Sequence, residues 1–256
     1  ASTHDYLLLF TDKGKVHWLK AYEIPEASRY AKGKAIVNLL NLQNERLNAV
    51  IPIKQFDDKH YLLFVTKNGV VKKTNLIEYS NPRKGGISAI NLKDDELIDV
   101  KLTDGNSKII IATKTGLAIK FDERDVRAMG RNATGVIGIE LVNDRVVGME
   151  IADDSKTLLT ITENGYGKRT LISEYRLIRR GGKGVINIIT SERNGNVVGI
   201  KTVEEKDDVM LITKKGILVR ISMKEVSVIG RNTQGVRLIR IEEGDKLVNL
   251  AKIVED

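Results

Sequence analysis

The chain has 256 residues, 42 Lys and Arg against 34 Asp and Glu, and no cysteine. This length can bury a sizeable core, so we expect one domain over residues 1–256. The absence of cysteine excludes disulfides, thiolate metal sites and cysteine nucleophiles. No apolar run reaches the roughly 18 residues of a membrane span and the N-terminus has no apolar signal core, which predicts a cytoplasmic protein. The net charge of +8 points to a polyanionic partner.

A Thr-x-x-Gly turn occurs five times, with glycines 55, 47, 49 and 51 residues apart. These first glycines are Gly14, Gly69, Gly116, Gly165 and Gly216. A second glycine follows each after 17 or 19 residues, at Gly33, Gly86, Gly135, Gly184 and Gly235. Two glycines in register over five copies predict an array of repeated modules.

The first module contains four apolar runs separated by turn residues. They cover residues 6–10, 15–19, 35–40 and 47–51. The turn at Asp12-Lys13-Gly14 is typical of a β-hairpin, and Pro25 interrupts the chain before the third run.

The four later modules repeat this pattern. Their apolar runs cover 61–65, 70–74, 87–92 and 97–102; 109–113, 117–121, 136–141 and 146–151; 158–162, 166–170, 185–189 and 197–203; and 209–213, 217–221, 236–241 and 247–253. Runs rich in Val, Ile and Thr predict four strands per module. The modules cover about 5–54, 59–103, 107–152, 156–203 and 207–254.

Four-stranded sheets at this period indicate an all-β, propeller-like ring of five blades. A solenoid is the structural alternative, but its repeats are usually shorter, and a helical repeat would show a period of about 3.6 residues. The sequence lacks that helical period.

Basic residues concentrate between the second strand and the second glycine of each module. These segments, 15–34, 72–86, 120–135, 168–184 and 220–235, hold 22 Lys and Arg against 8 Asp and Glu. The rest of the chain holds 20 against 26. A basic belt on an acidic body is therefore predicted, which suits the phosphate backbone of duplex DNA. Ordinary solvated surface charge is the alternative.

The candidate DNA contacts recur at fixed positions relative to the glycines. They are Arg29, Lys32, Lys34, Lys72, Lys73, Arg83, Lys84, Lys120, Arg127, Arg131, Lys168, Arg169, Arg176, Arg179, Arg180, Lys183, Arg220 and Arg231. The first glycines are interpreted as hairpin turns with positive φ. The second glycines are interpreted as turns or as points where main-chain N–H groups approach phosphate.

Motifs for catalysis and cofactors are lacking. Lys183 stands in a glycine-rich stretch, but a Walker motif needs Gly in place of Leu177 and Ser or Thr in place of Gly184. The three histidines, His4, His17 and His60, lack metal-ligand spacing. We therefore expect no catalytic residue, metal or cofactor in this chain.

Three segments closely resemble the C-terminal domain of the bacterial DNA gyrase A protein. They are Arg127-Ala128-Met129-Gly130-Arg131-Asn132-Ala133-Thr134-Gly135-Val136, Gly165-Tyr166-Gly167-Lys168-Arg169-Thr170 and Gly230-Arg231-Asn232-Thr233-Gln234-Gly235-Val236. The resemblance covers essentially the whole chain and implies a β-pinwheel, in which neighbouring blades exchange strands. It also implies that duplex DNA wraps around a basic outer rim during ATP-dependent negative supercoiling.

The resemblance further implies partners that this chain does not contain. In the family, the catalytic tyrosine lies in the breakage-reunion domain of the same polypeptide and the ATPase in the gyrase B protein, within an A2B2 enzyme associated with the nucleoid. The family commonly has six blades, and this chain offers five. The hallmark Gln-Arg-Arg-Gly-Gly-Lys-Gly is matched at residues 179–184, with Ile178 in place of Gln, in the fourth module. We interpret this match as a blade loop that resembles the hallmark heptapeptide and contacts DNA, and not as the hallmark itself.

Three other functions are compatible with a propeller. The paralogous C-terminal domain of topoisomerase IV would have the same blades. A protein-binding propeller would present an apolar or mixed-charge face, and its binding would survive high salt. A propeller enzyme would gather carboxylates or histidines at a central channel, which this sequence does not clearly supply.

Overall fold

The computed structural model describes residues 1–26, 35–40, 42 and 44–253. Three predicted DNA contacts, Arg29, Lys32 and Lys34, lie outside the described residues, as does Gly33. The chain forms two compact units. The first comprises Ala1–Gly105 and Val126–Val136, and the second comprises Asn106–Asp125 and Ile137–Asp256. No helix of the described residues is long and apolar enough to cross a membrane.

Almost all regular structure is β. The strands are β1 (Tyr6–Thr11), β2 (Lys15–Lys20), β3 (Leu47–Ile53), β4 (Tyr61–Thr66), β5 (Val70–Asn75), β6 (Ile87–Ser88), β7 (Leu97–Thr103), β8 (Lys108–Thr113), β9 (Leu117–Asp122), β10 (Val136–Ile137), β11 (Val146–Ile151), β12 (Thr157–Thr162), β13 (Tyr166–Leu171), β14 (Val185–Ile186), β15 (Val197–Val203), β16 (Asp208–Thr213), β17 (Leu218–Ser222), β18 (Val236–Arg237) and β19 (Leu247–Ile253). Short 3-10 turns, Ala21–Glu23, Leu76–Tyr79, Glu123–Asp125, Ile172–Glu174 and Met223–Glu225, follow the second strand of each repeat. The described residues also contain one short helix, α1 (Val37–Leu40).

The Thr-x-x-Gly segments form the hairpin turns that the sequence predicts. In each, the glycine N–H donates to the threonine carbonyl at 3.0 to 3.2 Å. The threonine hydroxyl of four turns also accepts from the main-chain N–H four residues later, as Thr113 does from Leu117 at 3.1 Å. All five glycines have positive φ, from 72° to 97°. Glycine permits this conformation without a Cβ clash.

The third run of each later repeat joins the sheet of the repeat before it. The sheets have strand orders β3-β1-β2-β6, β10-β5-β4-β7, β11-β8-β9-β14, β15-β12-β13-β18 and β17-β16-β19. Each short strand therefore pairs with the second strand of the preceding repeat, as Val185 does with Ala118. The repeated sheets and the exchanged strand agree with the predicted pinwheel, and each of the four later repeats contributes the four predicted strands, one of them to the sheet of the preceding repeat.

The run at 35–40 is not a strand. Residues Val37–Leu40 form one helical turn, in which the N–H of Leu39 and of Leu40 donate to the Ile36 carbonyl. Leu40 is buried in an apolar cluster with Leu7, Leu9 and Leu19. Local hydrogen bonds and this contact replace the predicted strand pairing.

The first strand of each of the first four hairpins is buried on both faces. β4 and β8 both show burial at every position after the first, which explains why their sequences are continuous apolar runs. In the first unit, Phe10 and Phe64 meet edge to face with ring centroids 5.6 Å apart. In the second unit, Leu159, Leu211 and their neighbours form a comparable core.

Candidate nucleic-acid interface

In each of repeats 2 to 5, the last part of the basic segment forms a loop, and its final glycine lies against the second strand of the preceding repeat. We call these loops by their repeats: loop 2 is 80–86, loop 3 is 126–135, loop 4 is 175–184 and loop 5 is 226–235. A parallel bridge joins loop 3 to β5, loop 4 to β9 and loop 5 to β13. The N–H groups of Met129, Ile178 and Ile229 donate into these strands at 2.8 to 2.9 Å. The loops are therefore docked along defined strand positions.

Each loop ends at a second glycine, where its main chain lies against the main chain of the preceding repeat. Gly86, Gly135, Gly184 and Gly235 all have positive φ. A Cβ on any of them would lie within 2.8 Å of a main-chain oxygen of the preceding repeat. This close approach explains the fixed position of the second glycine by packing, without a ligand.

Two predicted DNA contacts, Lys72 and Lys168, are fully buried. The Lys72 ammonium donates to the main-chain oxygens of Ala89 and Arg131 at 2.6 and 2.5 Å. The Lys168 ammonium donates to the oxygens of Gly230 and Arg231 at 2.6 and 2.7 Å. Burial lowers the pKa of Lys72 to about 7 and that of Lys168 to about 8. The sequence predicts both as DNA contacts, but each ammonium lies beneath the following loop and binds its main-chain oxygens instead.

Three further predicted contacts are also buried, which corrects their assignment to the surface. Lys120 donates to a carboxylate oxygen of Asp154 at 2.8 Å and to the Ile172 oxygen at 3.0 Å. Arg169 donates to the Val226 oxygen at 2.9 Å, and burial lowers its pKa. The Lys73 ammonium lies 5.2 Å from the centre of the Tyr61 ring. The next loop covers the second strand, so both faces of that strand are enclosed.

The arginines four residues before the second glycine connect consecutive repeats. The Nη1 atoms of Arg131, Arg180 and Arg231 donate to the oxygens of Ser88, Ile137 and Ile186 at 3.5, 2.9 and 2.8 Å. Each acceptor lies in the short exchanged strand of the preceding repeat. All three arginines are half-buried. Their common register therefore has a structural cause, and only part of each guanidinium faces solvent.

The remaining predicted contacts are exposed. Arg220 is exposed but paired, since its Nε lies 2.6 Å from a carboxylate oxygen of Asp208. The other six make no side-chain hydrogen bond or ion pair with any described residue. They are Arg83 and Lys84 in loop 2, Arg127 in loop 3, and Arg176, Arg179 and Lys183 in loop 4. These side chains form a set of unpaired cations, and the main chain of loops 3 and 4 that carries four of them is held by strand bridges.

A basic cluster outside the predicted set surrounds Tyr166. Arg193 and Arg237 stack on its ring at 5.0 and 5.3 Å from the centroid. Their guanidiniums donate to the Tyr166 hydroxyl at 3.4 and 2.8 Å. Arg240 lines the same surface pocket. The sequence contains a signal for this cluster. Arg237 stands two residues after Gly235, where the other repeats have Ser88, Ile137 and Ile186.

The chain matches one family model in all five repeats. The model, described as the DNA gyrase C-terminal domain, beta-propeller, covers residues 5–54, 60–104, 107–153, 156–204 and 207–253. The chain belongs to the DNA gyrase C-terminal domain family. This match and the repeated sheets confirm the predicted propeller-like fold.

The curated relatives of the chain include DNA gyrase A proteins. The chain is 54% identical to the DNA gyrase A protein of Clostridium acetobutylicum over 258 residues, covering all of this chain and 31% of that protein. It is 47% identical to the corresponding protein of Klebsiella oxytoca, again over its whole length and 30% of the relative. The chain thus spans about a third of the length of these relatives.

Two solved structures superpose on the chain. The C-terminal domain of DNA topoisomerase IV matches with a TM-score of 0.88 and 31% identity, over 98% of this chain and 80% of that one. A DNA gyrase A C-terminal domain matches with a TM-score of 0.86 and 29% identity, over 99% and 84%.

Proposed function

We propose that this chain binds duplex DNA without sequence preference and bends it along its basic loops. The observation that carries the proposal is the set of six exposed, unpaired Lys and Arg side chains on loops 2, 3 and 4. The main chain of loops 3 and 4 is fixed by strand bridges and, under loop 3, by the buried ammonium of Lys72. Cations presented at fixed positions suit phosphates, and no recognition helix is available to read bases among the residues that the structure describes.

The placement of the glycines supports this contact surface. At Gly181 and Gly182 of loop 4, a Cβ would meet no atom closer than 3.6 Å. These glycines are therefore not required by packing, in contrast to Gly184. The N–H of Gly181 donates to the Gly138 oxygen at 2.7 Å, whereas the N–H of Gly182 has no main-chain partner among the described residues and is open to an approaching phosphate.

We further propose that the chain acts as the DNA-wrapping module of a gyrase. The breakage-reunion domain of the same polypeptide and the gyrase B protein would supply strand cleavage and ATP hydrolysis in an A2B2 enzyme of the bacterial cytoplasm. Wrapping would present a neighbouring DNA segment for passage, which yields negative supercoils. The chain itself would carry no reaction centre or cofactor.

Topoisomerase IV remains a second candidate because its C-terminal domain superposes with a TM-score of 0.88. The curated relatives favour gyrase, since several gyrase A proteins are 44% to 54% identical to this chain. Ligation of nicked circles separates the two candidates, because a wrapping module changes the linking number of the closed product, whereas a domain that only bends DNA does not.

The proposed DNA binding is tested by fluorescence anisotropy with a long duplex over a salt series. Affinity should fall linearly with the logarithm of salt concentration, with a slope of about −0.9 for each phosphate neutralised. Binding that is absent at low salt, or indifferent to salt, would favour a protein-binding propeller and overturn the proposal.

A further inference from the structure

The Tyr166 cluster brings three guanidiniums to one side of the fourth sheet. Tyr166 begins β13, Arg237 ends the exchanged strand β18, and Arg193 lies in the connection between β14 and β15. Together with Arg240 they line a surface pocket of about 410 Å³. The three arginines are exposed, while only 4% of Tyr166 is accessible to solvent. The buried Tyr166 ring therefore forms the base of the pocket, and the exposed guanidiniums lie around it.

The charges in this pocket are not balanced by the protein. None of the three arginines forms an ion pair with a described residue, and no carboxylate lines the pocket. The Tyr166 hydroxyl accepts from Arg193 and from Arg237, and these hydrogen bonds hold the pKa of the phenol below its ordinary value. Like charges held close together repel each other, and an anion between them would relieve that repulsion.

The pocket also follows the loop that carries the fewest Lys and Arg residues of loops 2 to 5. Loop 5 carries a single Lys or Arg, the half-buried Arg231. The three arginines of the pocket supply positive charge immediately after this loop, because Arg237 and Arg240 follow Gly235 in sequence. Positive charge in the fifth repeat therefore follows loop 5, at Arg237 and Arg240, more than it lies on the loop itself.

We propose that the pocket formed by Tyr166, Arg193, Arg237 and Arg240 binds a phosphate group of the DNA backbone. The proposal rests on the proposed DNA binding and adds a contact outside the loops. Arginine donates two N–H groups in a fixed plane, which matches two oxygens of a phosphate. Tyr166 orients two of these planes by stacking and by its hydroxyl, so they are ordered before the ligand arrives.

The test compares DNA affinity of the wild type with two kinds of variant. The double variant Arg193→Gln with Arg237→Gln should lose about fivefold to tenfold in affinity and reduce the salt slope by roughly one phosphate. The control, Lys59→Gln with Arg145→Gln, removes the same charge from exposed residues outside the loops and should change both quantities much less. Equal losses in the two double variants would overturn the proposal.

A second variant keeps the net charge. Tyr166→Phe preserves the buried ring and removes the hydroxyl that orders both arginines, so affinity should fall about twofold to threefold with an unchanged salt slope. Thermal melting confirms that the variant is folded. If the wild type binds no DNA, the proposed function fails; if it binds and all pocket variants bind equally, only the pocket assignment fails.

The same chemistry could take a free phosphate. Inorganic phosphate titrated by NMR against the wild type should shift resonances of Tyr166 and its neighbours, and Arg193→Gln with Arg237→Gln should abolish the shifts. DNA added in excess should displace the phosphate. Phosphate binding that DNA does not displace would assign the pocket to a free ligand and overturn the DNA assignment.

Discussion

The Nζ atom of Lys168 lies 2.6 Å from the main-chain oxygen of Gly230, and the lysine is wholly shielded from solvent. The residue pair joins β13 to loop 5 of the following repeat. Lys72 holds loop 3 in the same way through the Arg131 oxygen. Both loops contain Gly-Arg-Asn, whereas the third sheet has Ile119 at this position and loop 4 contains Arg-Arg-Gly-Gly-Lys-Gly. A buried lysine is therefore found beneath the two loops that contain Gly-Arg-Asn.

Replacement of Lys168 by Met should loosen loop 5. The change leaves the oxygens of Gly230 and Arg231 without their buried donor, and an unpaired buried carbonyl is costly. Amide exchange of Ile229, which donates to the Arg169 oxygen at 2.9 Å, should become faster. Lys183→Met alters an exposed lysine of loop 4 and serves as the control. Unchanged exchange at Ile229 in the Lys168 variant would show that strand bridging alone holds the loop.

The buried lysines should also make stability depend on pH. The folded-state pKa of Lys72 is about 7 and that of Lys168 about 8, below the ordinary 10.5 of an unfolded chain. Between these values the unfolded state binds more protons, so the free energy of unfolding should rise with pH from about 7 to about 9.5. The contribution of the two lysines to the stability of the fold is unfavourable below this pH window and vanishes above the ordinary lysine pKa of 10.5.

Urea unfolding of the wild type and of Lys72→Met with Lys168→Met, at several pH values, measures this effect. The double variant should show a flatter profile. The upper limit of the window avoids Tyr79 and Tyr175, since burial raises the pKa of both phenols and their titration acts in the opposite direction. Parallel profiles for the two proteins would contradict the expected linkage.

Arg179 and Arg180 are adjacent but should behave differently. Arg180 donates to the oxygens of Asp125 and Ile137 at 2.9 Å, and Arg179 is exposed without such contacts. Arg180→Ala should lower the free energy of unfolding by about 1–3 kcal/mol. Arg179→Ala should stay within about 0.5 kcal/mol of the wild type. In anisotropy titrations, Arg179→Ala should nevertheless weaken DNA binding. A stability loss for Arg179→Ala equal to that for Arg180→Ala would contradict this division.

Arg220 should contribute less to DNA binding than Arg176 does. The Arg220 guanidinium is already paired with Asp208, whereas Arg176 on loop 4 has no partner among the described residues. Arg220→Gln and Arg176→Gln remove the same charge, so the comparison isolates the effect of pairing. We expect a clear decrease in the salt slope, by up to about 0.9, only for Arg176→Gln. The reverse order would mean that DNA displaces Asp208.

Gly184 and Gly244 offer a matched test of close packing. Their φ values are 78° and 76°, so an alanine suffers similar backbone strain at both positions. A Cβ at Gly184 would collide with the Ala118 oxygen, whereas at Gly244 it would meet nothing within 4 Å. Gly184→Ala should therefore be the more destabilising change in denaturant unfolding. Equal losses would show that φ alone explains the second glycine.

The turns and repeats could be predicted from the sequence because their causes are local. Gly116 and Thr113 determine a hairpin turn through a positive φ and hydrogen bonds within five residues. The short strand at Val185 could not be assigned to the third sheet, since its partner Ala118 lies far away in sequence. The apolar pattern is the same for a strand in either sheet.

The charge pattern located the loops but not the direction of each side chain. Lys168 and Lys183 belong to the same basic segment, yet one is enclosed and the other is exposed. The difference arises because loop 5 covers β13, and covering of one repeat by the next is a tertiary contact. The Arg237 stacking on Tyr166 was missed for the same reason, as its two partners are 71 residues apart.

Strand exchange means that the chain has few places where it could be divided cleanly. The third sheet takes strands from Lys108–Thr113, Leu117–Asp122 and Val146–Ile151, and its last strand is Val185–Ile186. A cut in any connection between these four strands therefore leaves strands of this one sheet on both sides of the cut. A protease that cleaves loop 4 would leave two fragments still joined through hydrogen bonds of the sheet. Nicked protein should remain associated in native buffer and separate only on denaturation.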